Sequence, residues 1–184
     1  YKQRVKIVKL LDLKKGNKLL DVGCGTGSLL VVAKKLNPDI SATGIDIDDK
    51  ILRMAKDKVQ KEHQKIDFIQ TSSDKLPFDD SSFDVIVSTL VFHHLPIDVK
   101  KRTLEEVKRV LKKNGRFLLV DFGKTENLWI NIFYRVVNFL RIEEATTLKD
   151  NIDGKLPVLL KQSGFKIKEV ALQYLGIRYF LGVK

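Results

Sequence analysis

The chain has 184 residues, 43% of them apolar, and sets 34 Lys and Arg against 23 Asp and Glu for a formal net charge of +11. That length fits one domain, 1–184, with a substantial core, and no apolar run approaches the roughly 18 residues of a membrane helix. A single cysteine, Cys24, excludes an internal disulfide framework and a cysteine-based zinc site, and points to a reducing, cytoplasmic setting.

The N-terminus is basic, with Lys2, Arg4, Lys6 and Lys9, but Val5, Ile7 and Val8 are interspersed with charges, unlike a signal peptide. The chain begins at Tyr1 rather than Met, so sequence upstream of it is expected. A charge of +11 admits nucleic acid, an acidic membrane surface or acidic small molecules as partners. The lysines, however, fall mostly in pairs near element ends (14–15, 34–35, 100–101, 112–113) and are not interleaved with aromatics as on a stacking platform. A solvated surface is the stronger reading.

In chain order, residues 5–11 read as a short amphipathic helix and 18–22 as a strand ending in a glycine-rich turn. An apolar helix follows over 28–36, stopped near Asn37-Pro38, and a second strand over 41–46. Asp48 can cap the next helix, whose Ile51, Leu52, Ala55 and Val59 share one face. Residues 66–69 are a third strand, and Pro77 with the 79–82 cluster marks a loop. Residues 83–88 read as a buried fourth strand, 98–111 as a helix ended by Asn114-Gly115, and 116–121 as a fifth strand. A helix is expected over 126–141, with Trp129, Phe133, Val136, Val137 and Leu140 on one side, and another over 155–163. Residues 165–172 and 177–183 close the chain as an antiparallel hairpin around Gly176. Alternating strands and helices predict an α/β fold with a parallel sheet covered on both faces.

The informative stretch is Asp21-Val22-Gly23-Cys24-Gly25-Thr26-Gly27. A buried strand runs directly into three glycines, and a helix follows. Glycine permits positive φ and close approach of a ligand, and a helix N-terminus offers free N–H groups to an anionic group. Asp46 ends the next strand, where an acid can accept from ribose hydroxyls. Strand, turn, helix and spaced acid together point to a nucleoside. The spacing is Gly-x-Gly-x-Gly, neither the dinucleotide pattern nor a P-loop.

This segment resembles motif I of class I S-adenosylmethionine-dependent methyltransferases. Leu76-Pro77-Phe78, then 83–88 and His93-His94-Leu95, resemble the small-molecule branch that includes ubiquinone/menaquinone methyltransferases. Val107-Lys108-Arg109-Val110-Leu111, Gly115-Arg116-Phe117 and Ser163-Gly164-Phe165 continue the likeness, which is weakest over 125–153. The resemblance implies a Rossmann-like three-layer sandwich: a seven-stranded, mostly parallel sheet with its last strand antiparallel. It implies that Asp21, Gly23, Cys24, Gly25 and Gly27 hold the methionine end of S-adenosylmethionine, Asp46 the ribose, and Ile47 the adenine face. Ser72 and Ser73 would reach the adenine edge, and Ser88 and Thr89, ending the fourth strand, would complete the cofactor site. Ser72 stands where the family often has an acid, with Asp74 nearby, and Lys112-Lys113-Asn114-Gly115 stands where it usually has Pro-Gly-Gly.

Methyl transfer from a sulfonium is an in-line displacement, served by positioning and exclusion of water. A base is needed only where the nucleophile must lose a proton. His93 is the expected base, ahead of His94; two adjacent histidines without a third ligand predict no metal. Cys24 reads as a small neutral spacer. Trp129, Phe133 and Tyr134 would pack in the core, ahead of lining a substrate pocket or forming a lid or dimer surface, and Arg135 and Arg141 would be solvated rather than meet an acidic substrate. The expected function is methylation of a small molecule, with S-adenosylhomocysteine as product. The alternatives are an RNA methyltransferase, suggested by charge but lacking an Asn/Asp-Pro-Pro-Tyr signature, and a non-catalytic S-adenosylmethionine-binding regulator.

Overall fold

A computed structural model describes residues 1–124, 143–174 and 176–184. Its elements are α1 (Lys2–Leu11), β1 (Lys18–Val22), α2 (Ser28–Leu36), β2 (Ser41–Asp46), α3 (Asp49–Lys61), β3 (Asp67–Gln70) and β4 (Phe83–Thr89). A short 3-10 turn (Phe92–His94) leads to α4 (Ile97–Val110), β5 (Leu111–Phe122), α5 (Glu143–Ile152), α6 (Lys155–Gln162), β6 (Lys166–Tyr174) and β7 (Ile177–Val183).

The seven strands form one sheet in the order β3-β2-β1-β4-β5-β7-β6. The first five pair in parallel, and β7 runs antiparallel to both β5 and β6. The order reverses between β1 and β4, the switch point at which open α/β sheets bind ligands beyond the strand carboxyl ends.

Alternation along the central strands sends side chains to both faces. Leu20 and Val22 of β1, Ile86 of β4, and Phe117 and Leu119 of β5 pack with Leu104 and Val107 of α4 and with Leu156 and Leu160 of α6. Leu19, Val85, Val87, Leu118 and Val120 point the other way, onto α1, α2 and α3 through Val8, Leu11, Leu30 and Leu52. Both faces are covered, which explains why these strands read as near-continuous apolar runs. Asp48 caps α3 as its sequence position suggests, its carboxylate accepting from Lys50 N and Ile51 N.

Several boundaries differ from the sequence reading. α1 begins three residues earlier, at Lys2, and β3 is shifted one residue on. Asn114-Gly115 does not end a helix: α4 stops at Val110 and β5 begins at once. Phe83 pairs with Leu111 and Val85 with Arg116, so residues 112–115 bulge out of the ladder, with Asn114 in the left-handed region (φ 63°). Helix α5 falls in a stretch without clear periodicity. The helix expected over 126–141, with Trp129, Phe133, Tyr134, Arg135 and Arg141, lies outside the described residues.

Candidate functional site

Three strand ends build the site. Gly23 N and Cys24 N both donate to Ile45 O (2.9 and 2.8 Å), locking the glycine turn after β1 to the end of β2. Asp46 reinforces the same junction. Its Oδ2 accepts from Gly25 N at 2.9 Å and its Oδ1 from Asp48 N at 3.1 Å. On the other side of β1, Ser88 Oγ donates to Val22 O at 2.8 Å.

A cavity of about 630 Å³ opens over this junction. Gly23, Cys24, Gly25, Thr26 and Ser28 form one wall, and Asp46, Ile47 and Ile51 a second. Ser72, Ser73, Thr89, His94 and Leu95 lie across from them, and Arg4 reaches in from α1. The three glycines of the turn all have positive φ but differ in surroundings. A Cβ on Gly23 would run into Val91, and one on Gly27 would meet the Phe68 ring at 2.8 Å. A Cβ on Gly25 would have no protein atom within 4 Å, so there the bare backbone faces open space. Ile47 is 71% exposed beside Asp46, an apolar surface unusual for a solvated loop.

These groups suit S-adenosylmethionine. Asp46 can accept ribose hydroxyls, Ile47 offers an apolar face to a base, and the Gly25 backbone gives a ligand room to approach. Of the residues expected on the cofactor, Gly23, Cys24, Gly25, Asp46, Ile47, Ser72, Ser73 and Thr89 all line the cavity. Asp21, Gly27 and Ser88 do not: they lie beneath it and shape the turn and strand end.

The expected catalytic residue, His93, also lies off the cavity, and His94 takes its place on the wall. The reason is local. Asp121, buried at the end of β5, draws His93 back: its Oδ1 is 2.9 Å from His93 Nδ1. Asp121 also accepts from Val91 N (3.0 Å), Phe122 N (2.7 Å) and Asn151 Nδ2 (3.2 Å). With those N–H groups all donating to it, the carboxylate is the acceptor toward His93, so His93 carries its proton on Nδ1. The His94 ring packs on His93 with centroids 3.9 Å apart and stands exposed to the cavity.

Side chains that the sequence did not single out hold this arrangement. Lys58 of α3 donates to Thr26 O (2.9 Å), Thr26 Oγ1 (2.8 Å) and Ser28 Oγ (2.6 Å), pinning the far end of the glycine turn. Burial, and then the nearby Arg4, depress its ammonium pKa. Arg109 of α4 donates to Leu76 O (2.9 Å) and Phe78 O (2.7 Å), fixing the Leu-Pro-Phe loop. The Ser72 hydroxyl donates to Asp74, which is held in turn by Arg102 Nε at 3.0 Å. The acid of that loop therefore stands one layer behind Ser72. Lys100 is fully buried on α4 and donates to Thr147 O of α5 at 2.7 Å.

Asp21 is 1% exposed, and among the described residues its Oδ1 has no hydrogen-bond partner. Burial, then the Asp46 carboxylate, push its pKa up to about 7. Burial likewise drives the Cys24 thiol far above its ordinary range, aided by Asp21 and Asp46, which removes Cys24 as a nucleophile and leaves it a spacer. No cluster of His, Cys, Asp and Glu among the described residues could hold a metal ion.

Comparison with known proteins agrees with this geometry. The sequence pattern of a methyltransferase domain family matches residues 20–119. The demethylmenaquinone methyltransferase of Lactobacillus johnsonii is 30% identical over 181 residues, covering 89% of this chain and 73% of that protein. The ubiquinone/menaquinone biosynthesis C-methyltransferase of Azotobacter vinelandii is 31% identical over 147 residues. That match takes in 78% of this chain but only 57% of the relative's length. Among solved structures, the YcgJ protein of Bacillus subtilis superposes with a TM-score of 0.79 at 18% identity, covering 100% of this chain and 99% of that one. A SAM-dependent methyltransferase from Aquifex aeolicus gives a TM-score of 0.71 at 24% identity, covering 98% and 87%. The chain belongs to the class I S-adenosylmethionine-dependent methyltransferases, on the branch of the ubiquinone/menaquinone C-methyltransferases.

Proposed function

We propose that this chain transfers a methyl group from S-adenosylmethionine to a small-molecule acceptor by in-line displacement. One observation carries the reading: the open backbone at Gly25, the Asp46 carboxylate and the exposed Ile47 share one cavity wall at the switch point of the sheet. When bound, the cofactor supplies a methyl on a sulfonium, whose bonding pair stays on sulfur as the methyl leaves. The cradle would be Gly23, Cys24, Gly25, Asp46, Ile47, Ser72, Ser73 and Thr89, with Asp21, Gly27 and Ser88 supporting it from below.

The protein's contribution is positioning. Asp46 and the turn fix the ribose and methionine ends, and Leu90, Val91 and Leu95 supply an apolar wall beyond Thr89 that excludes water. For an acceptor that must lose a proton, His94 is the imidazole at the cavity. His93, held by Asp121, backs the His94 ring and fixes its place. This moves the base from His93, the expectation of the sequence, to its neighbour. The likeness to the ubiquinone/menaquinone C-methyltransferase of Azotobacter and the demethylmenaquinone methyltransferase of Lactobacillus favours an aromatic, quinone-type acceptor.

Titration with S-adenosylmethionine and S-adenosylhomocysteine, followed by a screen of phenolic and quinol acceptors, tests the reading. Binding of both cofactor forms with methyl transfer to one acceptor class supports it. Failure of the folded protein to bind either form refutes it.

A further inference from the structure

Asp21 is the penultimate residue of β1, flanked in register by Gly44 of β2 and Val87 of β4. It shares the side-chain side of Leu19, facing the helices α1 to α3. Cys24 Sγ and Leu30 crowd the neighbouring position over Gly44, where an added Cβ would meet them at 2.7 and 2.9 Å. Its Oδ1 has no partner among the described residues. The charged group that faces it is Asp46, of like sign, already engaged by Gly25 N. The third titratable group at the turn is the neutral Cys24 thiol. A buried, unpartnered carboxyl next to a second carboxylate lowers stability, and an asparagine would fill the same volume without a charge. Gly23, Cys24 and Gly25, which follow this strand end, line the cavity, as does the Asp46 that faces the carboxyl.

The two ligands proposed for that cavity differ by one charge. The methyl donor carries a sulfonium, an ammonium and a carboxylate, and is a net cation. The thioether product lacks the sulfonium charge and is neutral overall.

We infer that Asp21 makes cofactor binding proton-linked, so that the cradle discriminates the cationic methyl donor from its neutral product. The inference rests on the reading of the cavity as an S-adenosylmethionine site. In the empty protein Asp21 is held as the neutral acid by burial and by Asp46. A cation arriving in the cavity favours the ionised form, and the proton leaves to bulk solvent. Once the methyl has gone and the sulfur is neutral, the carboxylate loses that compensation and takes up a proton again, so the product is held without the charge attraction that held the donor.

The sign follows from the raised folded-state pKa of about 7. Below that value donor binding must expel a proton, so donor affinity rises with pH through neutrality and levels off above it. Product affinity moves less. The ratio changes by roughly tenfold for each unit by which the donor, beyond the product, lowers the Asp21 pKa.

The test is calorimetric titration of the full chain with S-adenosylmethionine and with S-adenosylhomocysteine, in paired buffers of different ionisation heat. At pH 6.5 the donor is expected to release at least about half a proton more than the product does. The donor-to-product affinity ratio is expected to rise about fivefold or more between pH 5.5 and 8. In Asp21→Asn both differences vanish. In His94→Gln both persist, because the imidazole on the cavity wall is not their source. Equal proton release by the two ligands in the unaltered protein overturns the inference and needs no variant. So does a difference that survives in Asp21→Asn or vanishes in His94→Gln. Failure to bind either ligand instead refutes the cofactor reading, and this inference with it.

Discussion

Gly23 and Gly25 share a left-handed backbone but not a role. Alanine at Gly23 drives a methyl into Val91, so Gly23→Ala is expected to lower stability by about 1–3 kcal/mol, read by urea unfolding. Alanine at Gly25 meets no protein atom. Gly25→Ala is expected to fold with a loss nearer 1 kcal/mol, from the unfavourable φ alone, while cofactor binding weakens tenfold or more in a calorimetric titration. A matched loss at both positions would contradict this division. At the opposite wall, His94→Gln is expected to lower kcat/KM for a proton-bearing acceptor by about 10²–10⁴, leaving cofactor affinity within about threefold. Asp121→Asn is expected to act through kcat with a shifted pH profile, since it disturbs the partner that orients His93. The turn and Asp46 were legible because their spacing is local. Lys58 and Asp121 were not: their partners lie about 30 residues away, and nothing in adjacent histidines says which one a buried carboxylate will draw back.

At the scale of elements, the strands were legible because β1, β4 and β5 are buried on both faces and carry the apolar runs 19–20, 85–87 and 117–120. The end of α4 was misread because Asn114-Gly115 is as suited to a bulge as to a helix stop, and only the pairing of Phe83 with Leu111 decides. Helix α5 was missed, and it docks by polar contacts that periodicity does not report. Lys100 Nζ binds Thr147 O, Asp150 lies 3.9 Å from the same ammonium, and Asn151 Nδ2 reaches Asp121 Oδ1. Lys100→Ala removes this buried donor and opens a void, so a loss on the order of 2–4 kcal/mol is expected. Amide exchange within 143–152 should quicken more than in the central strands. Uniform quickening would show that Lys100 supports the whole core rather than the docking of α5.

For the molecule as a whole, the seven-stranded sheet and its antiparallel last strand follow from the alternation of elements and the family resemblance, and the strand order and pairing bear both out. Part of the basic charge is met locally: Lys14, Lys35 and Lys112 pair with Asp12, Glu62 and Asp84 on different parts of the fold. No helix among the described residues is long and apolar enough to cross a membrane. Asp21 gives the fold a pH dependence of definite sign. Its folded pKa, raised to about 7 from 3.8, means that the native state binds more protons than the unfolded state between those values. Stability of the unliganded protein should therefore fall as pH rises from about 4 to 7, by up to a few kcal/mol from this group. In Asp21→Asn that component is absent, and the variant should melt higher than the parent at pH 8.

The central claim, that the cavity over the glycine turn is a cofactor site with Asp46 on the ribose, is tested most directly by calorimetric titration with S-adenosylmethionine, comparing the protein with its Asp46→Asn variant. Micromolar binding by the parent is expected, with a loss of about tenfold or more in a variant that melts within a few degrees of it. No binding by the folded parent, or equal binding by the variant, would contradict it.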